Sequence, residues 1–181
     1  CHAERRHRRP LASPGRVVLA RRFGMPPAHL RRAAYLLVSV ALGFAYARRS
    51  GTLVRVSALV RPCQSAVDVA AIEANLPTGP SELHARRFRR TAEGAVYLLA
   101  WLDNAAVGHV LVTAQSKYEE VRDRLGTFPE VNALGVATAY RRRGVARALM
   151  EAAARIAVSM GGTRLGLAVE PDNEPAVGLY Q

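Results

Sequence analysis

Three consecutive arginines, Arg141-Arg142-Arg143, run into Gly144-Val145-Ala146 within the stretch EVNALGVATAYRRRGVARALM (residues 130–150). These residue types at this spacing suit anion binding. A strand leads into a turn, and a helix begins inside the motif. Gly144 and Ala146 are small where a ligand would approach the backbone closely. The first N–H groups of a helix have no intrahelical partner, and the macrodipole adds partial positive charge at that end. With cationic side chains around them, such groups take a phosphate or pyrophosphate. An ordinary glycine turn flanked by solvated arginines is the plainer alternative on the same residues. There is no G-x-x-x-x-G-K-[ST], and no G-x-G-x-x-G follows a strand, which argues against ATP and NAD sites. The two cysteines, Cys1 and Cys63, make no disulfide framework and fit no zinc spacing. Cys63, next to Pro62 and far from any His-and-acid grouping, reads as a plain semi-buried thiol.

The elements that must position this turn follow from the periodicities around it. Residues 53–60 (LVRVSALV) alternate, with Val54, Val56 and Ala58 on one face and Arg55 and Ser57 on the other, as a half-buried strand does. Ser65-x-x-Asp68 is a capping box with Asp in place of Glu, and it opens a helix through Asn75 whose core face carries Val69, Ile72 and Leu76. After the break at Pro77-Thr78-Gly79-Pro80, residues 81–90 predict a basic helix with Leu83 and Phe88 inward. Residues 96–102 and 105–113 are strands flanking Asp103-Asn104, a pair suited to a tight hairpin, and Gly108 marks a bulge or close packing. Residues 114–129 are a long loop or a short helix around 118–125, and 130–136 form the next strand. The strongest helical pattern covers 145–160, with Val145, Leu149, Ala152, Ile156 and Met160 as its apolar stripe and Arg147, Glu151 and Arg155 laddered outside. Gly161-Gly162 ends it, 163–169 is a further strand, and Asp172-Asn173 opens a last helix. The order β-α-α-β-β-β-α-β-α gives an α/β chain of the α+β type, with a mixed sheet and helices on its faces.

The turn resembles the pyrophosphate motif [Q/R]-x-x-G-x-[G/A] of the GNAT superfamily of acetyl-CoA-dependent N-acetyltransferases. Arg141 to Ala146 match it, preceded by Leu134-Gly135-Val136 and Tyr140 and followed by Ala148-Leu149-Met150. Downstream, Asn173, Ala176 and Tyr180 reproduce the family pattern N-x-x-A-x-x-x-Y. The order of elements from residue 52 onward also agrees. The resemblance implies a mostly antiparallel central sheet, acetyl-CoA as co-substrate, no metal, and a primary amine of a small molecule or protein as acceptor. It implies that the backbone of Leu134, Gly135 and Val136 bonds the pantetheine arm and polarises the thioester carbonyl. Arg142, Arg143, Gly144, Val145, Ala146 and Arg147 would cradle the pyrophosphate. Asn173 would touch the cofactor arm, and Tyr180 would protonate the departing thiolate.

The general base is less sharply marked. Relatives that acetylate ribosomal-protein termini carry a Glu on the strand before the Asn, where this chain has Ala168. Histone-type members carry one fourteen residues before the motif glycine, and Glu130 stands fourteen before Gly144. A solvated strand-end acid is the alternative for Glu130, and His109 is a second candidate base. The family's closing strands follow the tyrosine, whereas this sequence stops at Gln181, so the domain over 51–181 is expected to be truncated at its C-terminal end. A non-catalytic CoA-binding module is the alternative to an enzyme.

Charge sets the remaining bounds. The chain carries a formal +12, of which residues 1–50, with eleven Arg and Glu4 alone among acids, hold +10 and the remainder +2. This leader has no counterpart in the family and is expected to stand apart from the fold. An Arg-rich nucleic-acid arm is the alternative there, but the near-neutral body argues against nucleic acid as the partner. The apolar run 33–47 spans about 22 Å as a helix, short of the roughly 30 Å of a hydrocarbon core, which argues against a membrane span. From Met25 the run also has the form of a signal peptide ending at Ala45-Tyr46-Ala47. Use of acetyl-CoA favours the cytoplasm, with targeting by residues 25–47 as the alternative, and a homodimer is left open.

Overall fold

A computed structural model describes residues 34–39, 58–169 and 173. The strands are β1 (Ala34–Ser39), β2 (Leu59–Pro62), β3 (Val96–Leu102), β4 (Ala105–Thr113), β5 (Glu130–Val136) and β6 (Arg164–Val169); the helices are α1 (Ala66–Asn75), α2 (Leu83–Arg89), α3 (Glu119–Leu125) and α4 (Val145–Ser159). One sheet runs in the order β1-β6-β5-β4-β3-β2. Every neighbouring pair is antiparallel except β5 and β6, which are parallel.

The alternation of side chains divides the core into two layers. Leu98, Ala100, Val110 and Val112 point to one face and meet Val145, Leu149, Ala153 and Ala157 of α4. Tyr97, Leu99 and Leu111 point to the other and meet Ile72 of α1, with Phe88 of α2 packed beside them. The helices therefore cover both faces of a mostly antiparallel sheet. The α4 stripe read from the sequence is the buried one, with Val145, Leu149 and Ala152 buried. Replacing a stripe residue such as Leu149, which is 0% exposed, with Ala removes its methyl groups and leaves a void.

Local signals act as their chemistry requires. Asp103 and Asn104 both take positive φ (47° and 65°), as a two-residue hairpin turn with right-handed strand twist demands, and Leu102 pairs with Ala105 across it. Ser65 caps α1, its Oγ accepting from the Asp68 N–H at 3.3 Å. The Asp68 carboxylate accepts from the Gln64 N–H at 2.8 Å and from both Arg61 guanidinium nitrogens at 2.8 and 2.7 Å. Strand β2 is thereby tied to the start of α1.

Three expectations change. The half-buried strand runs over 59–62, so Ala58 and Val60 extend the alternating face toward α4, and Val54 and Val56 lie outside the described residues. In α2 the inward residues are His84 and Phe88, whereas Leu83 is 37% exposed. Glu82 takes the left-handed conformation (φ 46°) at the start of that helix, and His84 there finds partners for both ring nitrogens. The third change concerns the leader: residues 34–39 are not apart from the fold but form the edge strand β1, paired in full register with β6 from Ala34↔Val169 to Ser39↔Arg164. The last helix and Tyr180 lie outside the described residues.

The Arg61 guanidinium holds the Asp68 carboxyl below the usual carboxylate range, against the opposing effect of burial. A carboxylate whose folded pKa is depressed stabilises the fold above its unfolded pKa, and that contribution is lost as pH falls through the folded one. Asp68→Asn should therefore cost about 1–2 kcal/mol near pH 7, with the gap to the parent protein closing as pH drops below about 4. Urea denaturation at pH 7 and pH 3 checks both halves.

Candidate active site

Strands β5 and β6 start together and then part. They pair only at Glu130↔Gly166 and Val131↔Leu167, while β4 keeps pairing with β5 as far as Gly108↔Val136. Burial follows: Glu130 and Val131 are buried, and Asn132 through Val136 are half-buried. On its β6 side the segment 132–136 has no strand partner among the described residues, so its backbone can pair with an extended ligand. A bulge stands where the strands separate. Leu111 pairs with Ala133 and Val112 with Val131, leaving Asn132 as the extra residue. Its side-chain amide donates to Thr113 Oγ1 at 2.6 Å, and that hydroxyl donates to Gln115 O at 2.9 Å. The extra residue shifts the alternation, so that Leu134 and Val136 lie with Val131 on the α4 face.

Beyond Val136 the chain makes a helical turn at Thr138–Tyr140 and then enters α4 through Arg141 to Gly144. Arg142 (φ 62°) and Gly144 (φ 83°) both take left-handed backbone. A Cβ on Gly144 would meet nothing within 4 Å among the described residues, so there the glycine answers to its φ and not to a close approach. Among the described residues no side chain caps α4, and Arg142, Arg143 and Arg147 are exposed around its first turn. The three consecutive arginines differ in role. Arg141 donates from Nε to Val136 O at 3.2 Å, fastening the turn to the end of β5, and the Arg143 guanidinium lies 5.4 Å from the Tyr140 ring centre. Arg142 projects from the left-handed position.

The structure thus joins Leu134, Gly135, Val136, Arg142, Arg143, Gly144, Val145, Ala146 and Arg147 into one continuous strand end, turn and helix start. Glu130 lies at the closed end of the opening, 2% exposed, which excludes the solvated-acid alternative. Four residues of strand, about 13 Å, separate it from Leu134. Asn173 is exposed, and Ala168 is exposed on β6. Cys63 is buried, and its thiol is pushed up to about 11 by that burial and by Asp68, so it is the inert thiol its surroundings suggested. His109 is 4% exposed and faces the α1–α2 layer beside His84 and Tyr97. Burial first, then the Arg87 guanidinium and His84, hold its pKa well below the ordinary histidine value, so it is neutral near pH 7. The bulge at Asn132 and the grouping of His84, Tyr97 and His109 escaped sequence reasoning. No local spacing marks residues brought together from α2, β3 and β4. Among the described residues no group of His, Cys, Asp and Glu is arranged to hold a metal.

The φ of Gly144 makes a prediction. Gly144→Ala should cost about 1 kcal/mol of stability by forcing an L side chain into left-handed backbone, with no clash to add to it. Thermal unfolding of the two proteins measures this cost.

Comparison with known proteins agrees with this geometry. The acetyltransferase (GNAT) family model matches residues 41–181. No curated protein sequence matches the chain. Among solved structures, AAC(6')-Iy, in complex with a CoA-linked bisubstrate analogue, superposes with a TM-score of 0.57 at 18% identity over 69% of this chain and 88% of its own. An N-acetyltransferase from Staphylococcus aureus Mu50 gives 0.55 at 16% identity, covering 69% and 81%. A ribosomal-protein-alanine N-acetyltransferase from Brucella melitensis biovar Abortus 2308 gives 0.53 at 21% identity, covering 68% and 88%. At such identities the structural likeness speaks for the fold, and the family match covers most of the chain. A strand opening that runs into an uncapped, arginine-flanked helix start, on a sheet of this order, belongs to a member of the GNAT family of acetyltransferases.

Proposed function

We propose that the chain acetylates a primary amine of a small molecule or protein by direct transfer, with acetyl-CoA as donor. One observation carries this: the parting of β5 from β6 leads straight into the uncapped N-terminus of α4. Acetyl-CoA supplies the activated acetyl thioester. The residues present fit it, since Asn132 to Val136 offer half-buried strand edge and α4 offers backbone donors beneath exposed arginines. Leu134, Gly135 and Val136 would hold the pantetheine arm as a neighbouring strand would. Arg142, Arg143, Gly144, Val145, Ala146 and Arg147 would hold the pyrophosphate, and Asn173 would touch the arm. Tyr180 would give its phenolic proton to the departing sulfur, a role supported by its spacing from Asn173. Glu130 would take the proton of the acceptor ammonium through water, a role supported by its place fourteen residues before Gly144, at the closed end of the opening.

Among the described residues no helix is long and apolar enough to cross a membrane. The cytoplasm, where the donor is made and used, is the location we propose. A CoA-binding module without catalysis is the second reading, favoured by the burial of Glu130.

Calorimetry with acetyl-CoA, together with thiol release across a panel of amines, tests the reading. Arg142→Glu with Arg143→Glu should weaken acetyl-CoA binding at least about tenfold, and added salt should narrow the difference. Tyr180→Phe should lower kcat roughly 10- to 100-fold with little change in acetyl-CoA KM. A parent protein that binds acetyl-CoA but releases no thiol with any amine would favour the non-catalytic module. One that does not bind acetyl-CoA would exclude both readings.

A further inference from the structure

The α1–α2 face of Gly135 presses against a polar floor. A Cβ placed on Gly135 would lie 2.7 Å from His109 Nε2 and 3.1 Å from Leu76 Cδ2. His109 stands opposite Gly135 in the β4–β5 register. Behind these two groups runs a buried chain of hydrogen bonds: His84 Nε2 and Leu76 O are 2.7 Å apart, and His84 Nδ1 and the Tyr97 hydroxyl 2.6 Å. The assignment that satisfies every atom has His84 donating to the Leu76 carbonyl and accepting from Tyr97. His84 is 0% and Tyr97 1% exposed. The His109 ring stands edge-on to His84, with centroids 4.9 Å apart, and is tilted to Tyr97 at 5.7 Å. Its Nδ1 is buried and has no hydrogen-bond partner among the described residues.

An apolar side chain would fill this space without burying an unpaired nitrogen, a cost that calls for a compensating role. The place of the ring supplies one. Gly135 lies within the strand segment, residues 132–136, that β6 leaves free. The ring that meets its face is fixed from behind by groups drawn from the end of α1, α2 and β3.

We propose that His109, backed by the Tyr97–His84–Leu76 chain, is a positioning residue that sets where the Gly135 backbone lies and thereby shapes the strand edge that receives acetyl-CoA. The proposal rests on the acetyltransferase reading of the same opening. Gly135 and His109 are then a matched pair: the glycine lets the ring approach, and the ring stops the strand from sinking toward α1 and α2. The charged groups around the floor are consistent with a neutral wedge. Arg87 from α2 and His84 oppose protonation of His109, and the Glu73 carboxylate of α1 lies 3.9 Å from His84 Nε2. Tyr97 keeps its proton, because burial raises its pKa.

A double-mutant cycle on the full chain tests the pairing, with acetyl-CoA Kd from calorimetry and acetyl-CoA KM and kcat as readouts, at a temperature well below each variant's Tm. Gly135→Ala should weaken acetyl-CoA binding about tenfold, since the new methyl meets the ring. His109→Ala should weaken it several-fold, and the double variant should bind no worse than Gly135→Ala alone, a coupling of at least several-fold. If His109→Ala does not fold, His109→Gln, which keeps a polar side chain of similar reach, takes its place in the cycle. The proposal is overturned if His109→Ala lowers Tm but leaves Kd and KM within about twofold of the parent, as a purely structural residue would. Losses that simply multiply in the double variant also overturn it. A parent protein that fails to bind acetyl-CoA removes the acetyltransferase reading itself, whereas a parent that binds while the cycle shows no coupling removes the positioning role alone.

Discussion

Two parallel strands joined over two residue pairs and then separated are the constraint from which the site follows. Had β6 continued alongside β5, the backbone of Leu134 to Val136 would have been consumed in a sheet ladder, and no ligand could add to it. The closed end is built to hold against that opening. Gly166 donates its N–H to Pro129 O at 2.8 Å, just before the first strand pair. Glu130 is buried beside it, and Asn132 is fixed to Thr113 at the bulge. The bulge increases local twist, which carries the free half of β5 away from its parallel neighbour while its antiparallel bonds to β4 continue. On the far side, β6 is paired along its whole length by β1, so both walls of the opening are anchored from outside.

The rest of the site hangs on the link from β5 to α4. Packing of Val145 and Leu149 against β3 and β4 fixes the helix axis, and close packing at Gly108, where a Cβ would lie 3.1 Å from Leu149 and 3.2 Å from Val145, lets the helix approach the sheet. After the helical turn at Thr138–Tyr140, the left-handed residues Arg142 and Gly144 turn the chain into the start of α4. Arg141 spends its guanidinium on the strand end, leaving Arg142 and Arg143 for charge at the mouth. A thioester arm needs strand edge and a pyrophosphate needs helix N–H groups, and here one short helical turn, Thr138–Tyr140, and the arginine turn after it join the two.

Much of this was legible in the sequence because it is local. The spacing of Val145, Leu149 and Ala152, the Asp103-Asn104 pair and Ser65-x-x-Asp68 each encode their element within a few residues, though the Asp68 carboxylate takes the Gln64 N–H and Arg61 in place of the Ser65 N–H of a capping box. What escaped is non-local. The place of β1 depends on pairing with a strand about 130 residues away, which no apolar run announces. Leu83 and Phe88 looked like an inward pair, yet His84 took the buried place because Tyr97 and the Leu76 carbonyl satisfy its nitrogens, and these lie 13 and 8 residues away. The burial of Glu130 likewise comes from its neighbours on β4 and β6, whereas its position at a strand start left a solvated acid open. The motif from which the cofactor's place is proposed is therefore local, and the grouping of His84, Tyr97 and His109 behind Gly135 is not.

Amide hydrogen exchange with and without acetyl-CoA reads the central constraint directly. The backbone amides of Leu134 and Val136, which face away from β4, and those of the first turn of α4 should slow together when acetyl-CoA is added, while those of β3 change little. Exchange at 134–136 that is unaltered by saturating acetyl-CoA, or protection confined to another part of the sheet, would contradict it.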